Sequence, residues 1–168
     1  EYTLPITTFP LIEDFENATV GTQNLGNSNW IFTDGLDPNY KWQVDEEMTD
    51  ERSTGPFRGY YHKGKYLYTQ SNSTSGGLST YLRTKCLDFS SMSNPALYFY
   101  YHMYGANIDK LEIQVSRGNE PLDVWTTLAT ISGTGQQAKE LDDWKLRRVS
   151  LAAYANQSIK LRFAATRK

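Results

Sequence analysis

The fold of this chain is indicated first by residues 94–105, which read Asn94-Pro-Ala-Leu-Tyr-Phe-Tyr-Tyr-His-Met-Tyr-Gly105. Alternate side chains of an extended strand point to opposite faces. One face therefore carries the apolar and aromatic residues Leu97, Phe99, Tyr101 and Met103. The other face carries the polar aromatic residues Tyr98, Tyr100, His102 and Tyr104. Because aromatic residues favour strands and both faces are rich in them, we expect a strand that lies centrally in a sheet.

A second strand is predicted at residues 111–115, which read Leu-Glu-Ile-Gln-Val and alternate apolar with polar residues. Gly105 ends the first strand, and the turn residues 106–109 separate the two strands. The two strands are therefore expected to pair as a β-hairpin with one apolar side.

The rest of the chain contains further short strand candidates separated by turn residues. They lie at 12–16, 30–32, 40–44, 65–69, 80–87, 125–131, 144–151 and 159–163. In the candidate at 144–151 the apolar parity shifts between Leu146 and Val149, which predicts a β-bulge. Since no segment shows a sustained helical period, the pattern predicts an all-β fold, an antiparallel two-sheet β-sandwich of jelly-roll type.

Length and charge limit the function classes. The 168 residues, 39% of them hydrophobic, are enough for one domain with a core; we expect an extended segment at 1–11 and the sandwich at 12–168. Lys and Arg (17) nearly balance Asp and Glu (19), so no basic surface predicts a nucleic-acid partner. No apolar run approaches the ~20 residues of a transmembrane helix. Cys86 is the only cysteine, which excludes an internal disulfide.

Residues 99–105 followed by 111–115 resemble the signature strands of MAM domains, extracellular modules named after meprin, A5 antigen and receptor phosphatase mu. Other features occur in the same order as in that family, namely Asp14-Phe-Glu-Asn17, Thr54-Gly-Pro56, the strand 65–68, Trp125, Gly133, Trp144 and the segment 159–164. The resemblance spans about residues 12–168 and implies a MAM-like, concanavalin-related jelly roll. It also implies a secreted or cell-surface location.

Two departures from the family pattern bear on the architecture. The cysteines expected near Glu13 or Asp14 and at Ala96 are both absent, which indicates a divergent, cysteine-poor branch such as a bacterial one. The closing strand of MAM domains would follow the segment 159–163 but is missing after Lys168. We expect proteolytic processing, because the loss of this strand leaves unpaired backbone beside 159–163. The alternatives are that the boundary of the domain is misplaced or that a second chain supplies the strand.

The resemblance also implies a structural Ca2+ or Na+ ion near the first strand. Glu16 is the position that matches the family, and Asp45 and Asp50 are candidates from the acidic run 45–51, because hard cations prefer several oxygen ligands. The alternatives are that the acidic run is a solvated face and that Glu16 binds backbone N–H groups of the loop 21–29.

No enzymatic motif is present, and the two histidines, His62 and His102, follow no catalytic pattern. The sequence therefore predicts a non-catalytic module.

Two aromatic groups are candidate binding surfaces. The first is Tyr98, Tyr100, His102 and Tyr104, with Lys160 or Arg162 expected nearby. The second is Phe57, Tyr60 and Tyr61 in a long loop that would otherwise be polar. Alternatively, the first group packs beneath a covering loop and the second folds back over the sandwich edge. We predict an interaction or adhesion module with a protein partner; the alternative is a carbohydrate-binding accessory module of a secreted hydrolase.

Overall fold

The computed structural model describes residues 4–51, 53–70, 76–117, 124–133 and 135–168. Within these ranges the strands are β1 (Trp30–Thr33), β2 (Gln43–Asp45), β3 (Tyr66–Tyr68), β4 (Ser79–Thr84), β5 (Leu87–Asp88), β6 (Ala96–Tyr101), β7 (Ile108–Arg117), β8 (Thr126–Ser132), β9 (Lys145–Ser150) and β10 (Ser158–Arg167). Two single-turn 3-10 helices, Tyr60–His62 and Ala152–Tyr154, are the only helical elements of the described chain, and neither has the length or apolarity to cross a membrane.

The strands form two layers. The large sheet has the order β1-β4-β10-β7-β8, with β5 beside β10. The second layer consists of two antiparallel pairs, β2-β3 and β6-β9. All pairs between these strands are antiparallel, so the predicted all-β sandwich is confirmed.

The core lies between the layers because the period-2 patterns of β7 and β10 point one apolar face inward. Ile113 of β7 and Ile159 of β10 are completely buried. Leu97 and Val149, from the β6-β9 pair, pack onto this face. Full burial of each such side chain contributes about 1.5–3 kcal/mol of transfer free energy. The β6-β9 pair is thus fixed to the large sheet through its inner face, and its outer face is left to solvent.

The predicted hairpin between the organising strand and the next one is wrong. β6 pairs with β9, whereas β7 pairs with β8 and β10. The turn after Gly105, whose φ is +147°, carries the chain from one layer to the other. The apolar faces of β6 and β7 meet across the core instead of lying side by side. The expectation that β6 is central is also wrong, since β9 is its only partner among the described strands.

The bulge predicted at Leu146 is also wrong. β9 pairs with β6 in an unbroken register from Lys145 to Ser150. The alternation of apolar residues in the sequence is broken at Leu146 because this apolar side chain lies exposed on the outer face. Instead, the register shifts between Ile113 and Gln114, where β7 pairs with β8.

The N-terminal part of the chain packs onto the sandwich without forming the short strand expected at 12–16. Ile6 forms a parallel bridge with Leu87. The ring of Phe9 makes an edge contact with Phe89 at 5.3 Å between centroids. Ile6, Phe9 and Leu11 therefore pack against the core of the sandwich, whereas Leu4 is exposed.

The unpaired edge expected beside 159–163 is not found. β10 is hydrogen-bonded to β4 and β5 on one side and to β7 on the other. Arg167 is 2% exposed and pairs with Asp37 at 2.8 Å, its guanidinium 4.8 Å from the ring centre of Tyr40. The sequence predicted the position of this strand but not its neighbours. The backbone of 159–163 therefore gives no reason to expect a missing strand beside it.

Candidate interaction surface

The outer face of the β6-β9 pair exposes large apolar side chains. Tyr98 and Tyr100 of β6 are 60% and 42% exposed, and Leu146 of β9 is 55% exposed. The register places Tyr100 opposite Leu146 and Tyr98 opposite Arg148. Side chains opposite each other on one face of a sheet contact directly, so these residues form a continuous surface.

The aromatic loop folds onto the same surface. The ring of Tyr60 stacks on that of Tyr100, with 3.7 Å between centroids and 26° between planes. The ring of Tyr61 lies 4.2 Å from that of Tyr60 and is 74% exposed. The two predicted groups thus contribute to one surface, which we call the aromatic patch: Tyr60, Tyr61, Tyr98, Tyr100 and Leu146. The loop covers part of Tyr100 and adds exposed ring area of its own.

The conformation of this loop is strained and is held by the sheet. Tyr61 and His62 have φ values of 60° and 62°, in the left-handed region that residues other than Gly seldom adopt. The indole Nε1 of Trp144 donates a hydrogen bond to the carbonyl of Arg58 at 3.0 Å. Trp144 also contacts the buried ring of Tyr66 at 5.6 Å, which joins the two halves of the second layer. Strain of this kind clusters at functional sites.

A shallow recess of about 250 Å3 lies beneath the loop, lined by Tyr60, Tyr61, His62, Tyr100, Asp143 and Trp144. Pockets for small molecules commonly measure about 300–1,000 Å3, so this recess suits a single side chain better than a whole ligand. His62 Nε2 lies 3.9 Å from Asp143 Oδ1, and both side chains are well exposed. Such an exposed pair adds little stability.

The last two residues of the first predicted group do not join the patch, since β6 ends at Tyr101. The ring of His102 lies 5.8 Å from that of Trp144. Burial lowers the pKa of His102 below its ordinary value, and the Asp142 carboxylate opposes this only in part. Tyr104 is half-buried, and its carbonyl accepts a hydrogen bond from the Gly55 N–H at 2.7 Å.

Three other predicted residues lie apart from the patch. Phe57 is half-buried, with the guanidinium of Arg58 5.3 Å from its ring centre. Lys160 and Arg162 belong to β10 in the large sheet, across the sandwich from Tyr100. Arg162 lies between the rings of Tyr81 and Trp125, at 4.4 and 4.3 Å.

Two of the three candidate metal ligands, Glu16 and Asp45, accept hydrogen bonds within the protein. Glu16 Oε1 accepts from the Lys65 N–H at 3.1 Å, and the Lys65 ammonium donates to the carbonyls of Glu16 and Ala18 at 3.0 and 2.9 Å. Asp45 Oδ1 accepts from the Glu46 N–H at 2.8 Å. In the described ranges no three His, Cys, Asp or Glu side chains form a group suited to a metal. The Ca2+ or Na+ site at Glu16, Asp45 and Asp50 stays a prediction.

The loop 21–29 is held by a different carboxylate from the one expected. Glu13 Oε2 accepts hydrogen bonds from Asn27 Nδ2 at 2.8 Å and from Trp30 Nε1 at 3.0 Å. Glu16 contributes instead to the contact with Lys65. Both carboxylates thus fix the N-terminal segment to the sandwich.

Leu146, Trp144 and Arg148 belong to this surface but were not predicted to do so. The break in apolar parity at Leu146 was the available signal, and it was interpreted as a bulge. Trp144 and Arg148 could be placed only once the β6-β9 pairing was known.

Comparisons with known proteins agree with this architecture. The model of the MAM domain family, meprin/A5/mu, matches residues 14–168. The K2 cleaved adhesin domain of Lys-gingipain has a TM-score of 0.57 and 17% identity, covering 92% of this chain and 95% of that one. The K1 cleaved adhesin domain of Lys-gingipain from Porphyromonas gingivalis W83 has a TM-score of 0.55 and 14% identity, covering 92% and 93%. At such low identity these two likenesses show the fold alone.

Proposed function

Because this chain belongs to the MAM domain family, we propose that it is a non-catalytic adhesion module of an extracellular protein and binds a protein partner through the aromatic patch. Membership of a family of extracellular modules supports the secreted or cell-surface location. Two solved domains that share this fold are described as cleaved adhesin domains, which supports an adhesion role within a larger, processed protein.

The exposure of the patch is the observation that carries the proposal. Tyr61, Tyr98 and Leu146 each expose more than half of their surface, although they lie together on a rigid strand pair and its loop. Soluble domains seldom expose clustered apolar residues without a partner. Tyrosine is enriched among the residues that contribute most to binding energy at interfaces, because it loses little side-chain entropy on binding.

The alternative, a module that binds neutral carbohydrate, would need free ring faces on which sugars stack. One face of Tyr100 is covered by Tyr60. The guanidinium of Arg148 lies 5.8 Å from the ring centre of Tyr98, and its Nε donates to the Tyr98 hydroxyl at 3.0 Å. These contacts favour a protein partner over a neutral sugar, and a glycan array serves as the control measurement.

The test is adhesion of beads coated with the domain to a panel of immobilised extracellular matrix proteins and cultured cells. We expect attachment to at least one surface, and a loss of about tenfold or more in the Tyr61→Ser/Tyr98→Ser variant. The matched control is Leu36→Ser/Val124→Ser, which removes residues that are 90% and 65% exposed elsewhere. Equal attachment by both variants, or saturable binding of neutral glycans lost with Tyr98, would refute the proposal.

A further inference from the structure

A second surface feature, beside the aromatic patch, is a row of positive charge on β9. Residues 145–148 read Lys-Leu-Arg-Arg, and all four are exposed. Neither β6 nor β9 contains an acidic residue, so this strand pair carries three positive charges in a chain whose net charge is −2. The charge is therefore local and does not follow from composition.

In the part of the chain that the structure describes, no ion pair joins Lys145, Arg147 or Arg148 to neighbouring acids. The carboxylate of Asp143, two residues before Lys145, lies 3.9 Å from His62 Nε2. The carboxylate of Asp142 is bound by the N–H groups of Ala138 and Lys139, at 2.6 and 2.9 Å. Since uncompensated like charges on adjacent residues repel one another, an anionic partner would relieve a cost present in the free protein.

The three cations lie along β9 on both of its faces: Lys145 and Arg147 share the parity of the buried Val149, and Arg148 shares that of the exposed Leu146. At about 3.3 Å per residue, Lys145 and Arg148 are separated by roughly 10 Å along β9. Within the described residues β9 pairs only with β6, so its other edge is open and side chains of both parities reach solvent. Arg148 is oriented by its hydrogen bond from Nε to the Tyr98 hydroxyl, which leaves its terminal amino groups for a ligand.

We propose that the Lys145, Arg147 and Arg148 row, with the hydroxyl of Tyr98 beside it, binds a linear sulfated polysaccharide. Guanidinium groups bind tetrahedral oxyanions through paired N–H donors. Cations along an open strand edge suit a flexible polyanion that lies along the strand, and poly-glutamate serves in the test as the acidic polypeptide that would compete for the same cations. The inference rests on the proposed function only for the extracellular location, where such polysaccharides are encountered.

The experiment measures binding of the whole domain to a size-defined heparin oligosaccharide, a neutral dextran of matched length and poly-glutamate, over a range of salt concentrations. We expect heparin to bind and dextran not to bind, with an affinity that falls as salt rises because counterions are released. The Lys145→Gln/Arg147→Gln/Arg148→Gln variant should bind heparin at least about tenfold more weakly.

The control is Lys85→Gln/Arg117→Gln/Lys168→Gln, which removes the same charge from the large-sheet side of the molecule. It should change the heparin affinity by less than about twofold. Equal losses in both variants, absence of heparin binding, or poly-glutamate binding as tight as heparin would each overturn the proposal. If the triple variant does not fold, the single Arg147→Gln variant must show a partial loss.

Bead adhesion separates this inference from the proposed function. The Tyr61→Ser variant alone should lose attachment to proteins and retain heparin binding. Retention of attachment by that variant would count against the aromatic patch, whereas the heparin measurement alone decides whether the basic row binds a sulfated polysaccharide.

Discussion

The contact between Trp144 and Tyr66 connects the two halves of the second layer, and its energy can be measured in isolation. The rings meet nearly edge to face, 5.6 Å between centroids and 67° between planes. Such pairs contribute about 0.5–1.5 kcal/mol beyond their buried area. We therefore expect a coupling free energy of about 1 kcal/mol between Trp144→Leu and Tyr66→Leu in a double-mutant cycle.

The assay is urea unfolding of the wild-type domain, both single variants and the double variant. If the free energy of unfolding falls by about 2 kcal/mol per molar urea, the urea midpoint of the double variant should differ by roughly 0.5 M from the value expected for two additive substitutions. The cycle subtracts the other losses of each substitution, among them the hydrogen bond from Trp144 to the Arg58 carbonyl and that from the Tyr66 hydroxyl to the Glu47 carbonyl.

The control cycle combines Tyr66→Leu with Trp125→Leu, whose ring lies beside Arg162 in the large sheet. These two changes should add within about 0.3–0.5 kcal/mol, as distant sites do. A coupling no larger than this between Trp144 and Tyr66 would refute the reasoning, because their ring contact would then add nothing to the free energy of unfolding beyond the separate effects of the two side chains.

Four further predictions concern polar groups. Burial lowers the pKa of His102 in the folded protein. As pH falls below about 6.5 the unfolded chain therefore binds a proton that the folded protein does not, and the free energy of unfolding should decrease. His102→Gln should reduce this pH dependence, measured by urea unfolding between pH 7 and pH 5. Lys65→Met should lower the melting temperature because it removes two hydrogen bonds to carbonyls. Millimolar calcium should raise the melting temperature of the wild type but not that of Glu16→Gln if the predicted ion site exists. The absence of any shift in the wild type would refute the ion site. Arg167→Met should lower the melting temperature by about 10 °C, with scanning calorimetry as the measurement, since it leaves Asp37 without its buried partner; an unchanged value would contradict the assigned ion pair.

Much of the fold could be predicted from local patterns. The inward set Leu97, Phe99, Tyr101 and Met103 is confirmed. Within β6 this follows because a period of two is a property of the extended backbone itself. The partner of β6 could not be predicted, because its apolar face is compatible with two arrangements. β6 and β7 could pair in one sheet with their apolar sides together, or lie in different layers and face each other across the core. A turn at Gly105 is compatible with both arrangements.

The site was predicted in part. Tyr98, Tyr100, Tyr60 and Tyr61 were named as two separate groups, and the structure brings them together through the stacking of Tyr60 on Tyr100. His102 was placed with them by parity, which fails where β6 ends. Contacts between residues 40 positions apart depend on how the layers fold over each other, and no local pattern records this.

By itself, the sequence determined that this protein is a β-sandwich, which residues of β6 and β7 face inward, and that it resembles MAM domains. These properties depend on alternation along the backbone and on residue type, both of which can be read from neighbouring positions. Only the tertiary structure decided that β6 pairs with β9, that β10 is flanked on both sides, and that an aromatic loop stacks on the exposed face of β6. Strand pairing depends on which apolar surfaces meet across the whole chain, because the free energy of burial is gained from the assembled core and not from any single strand.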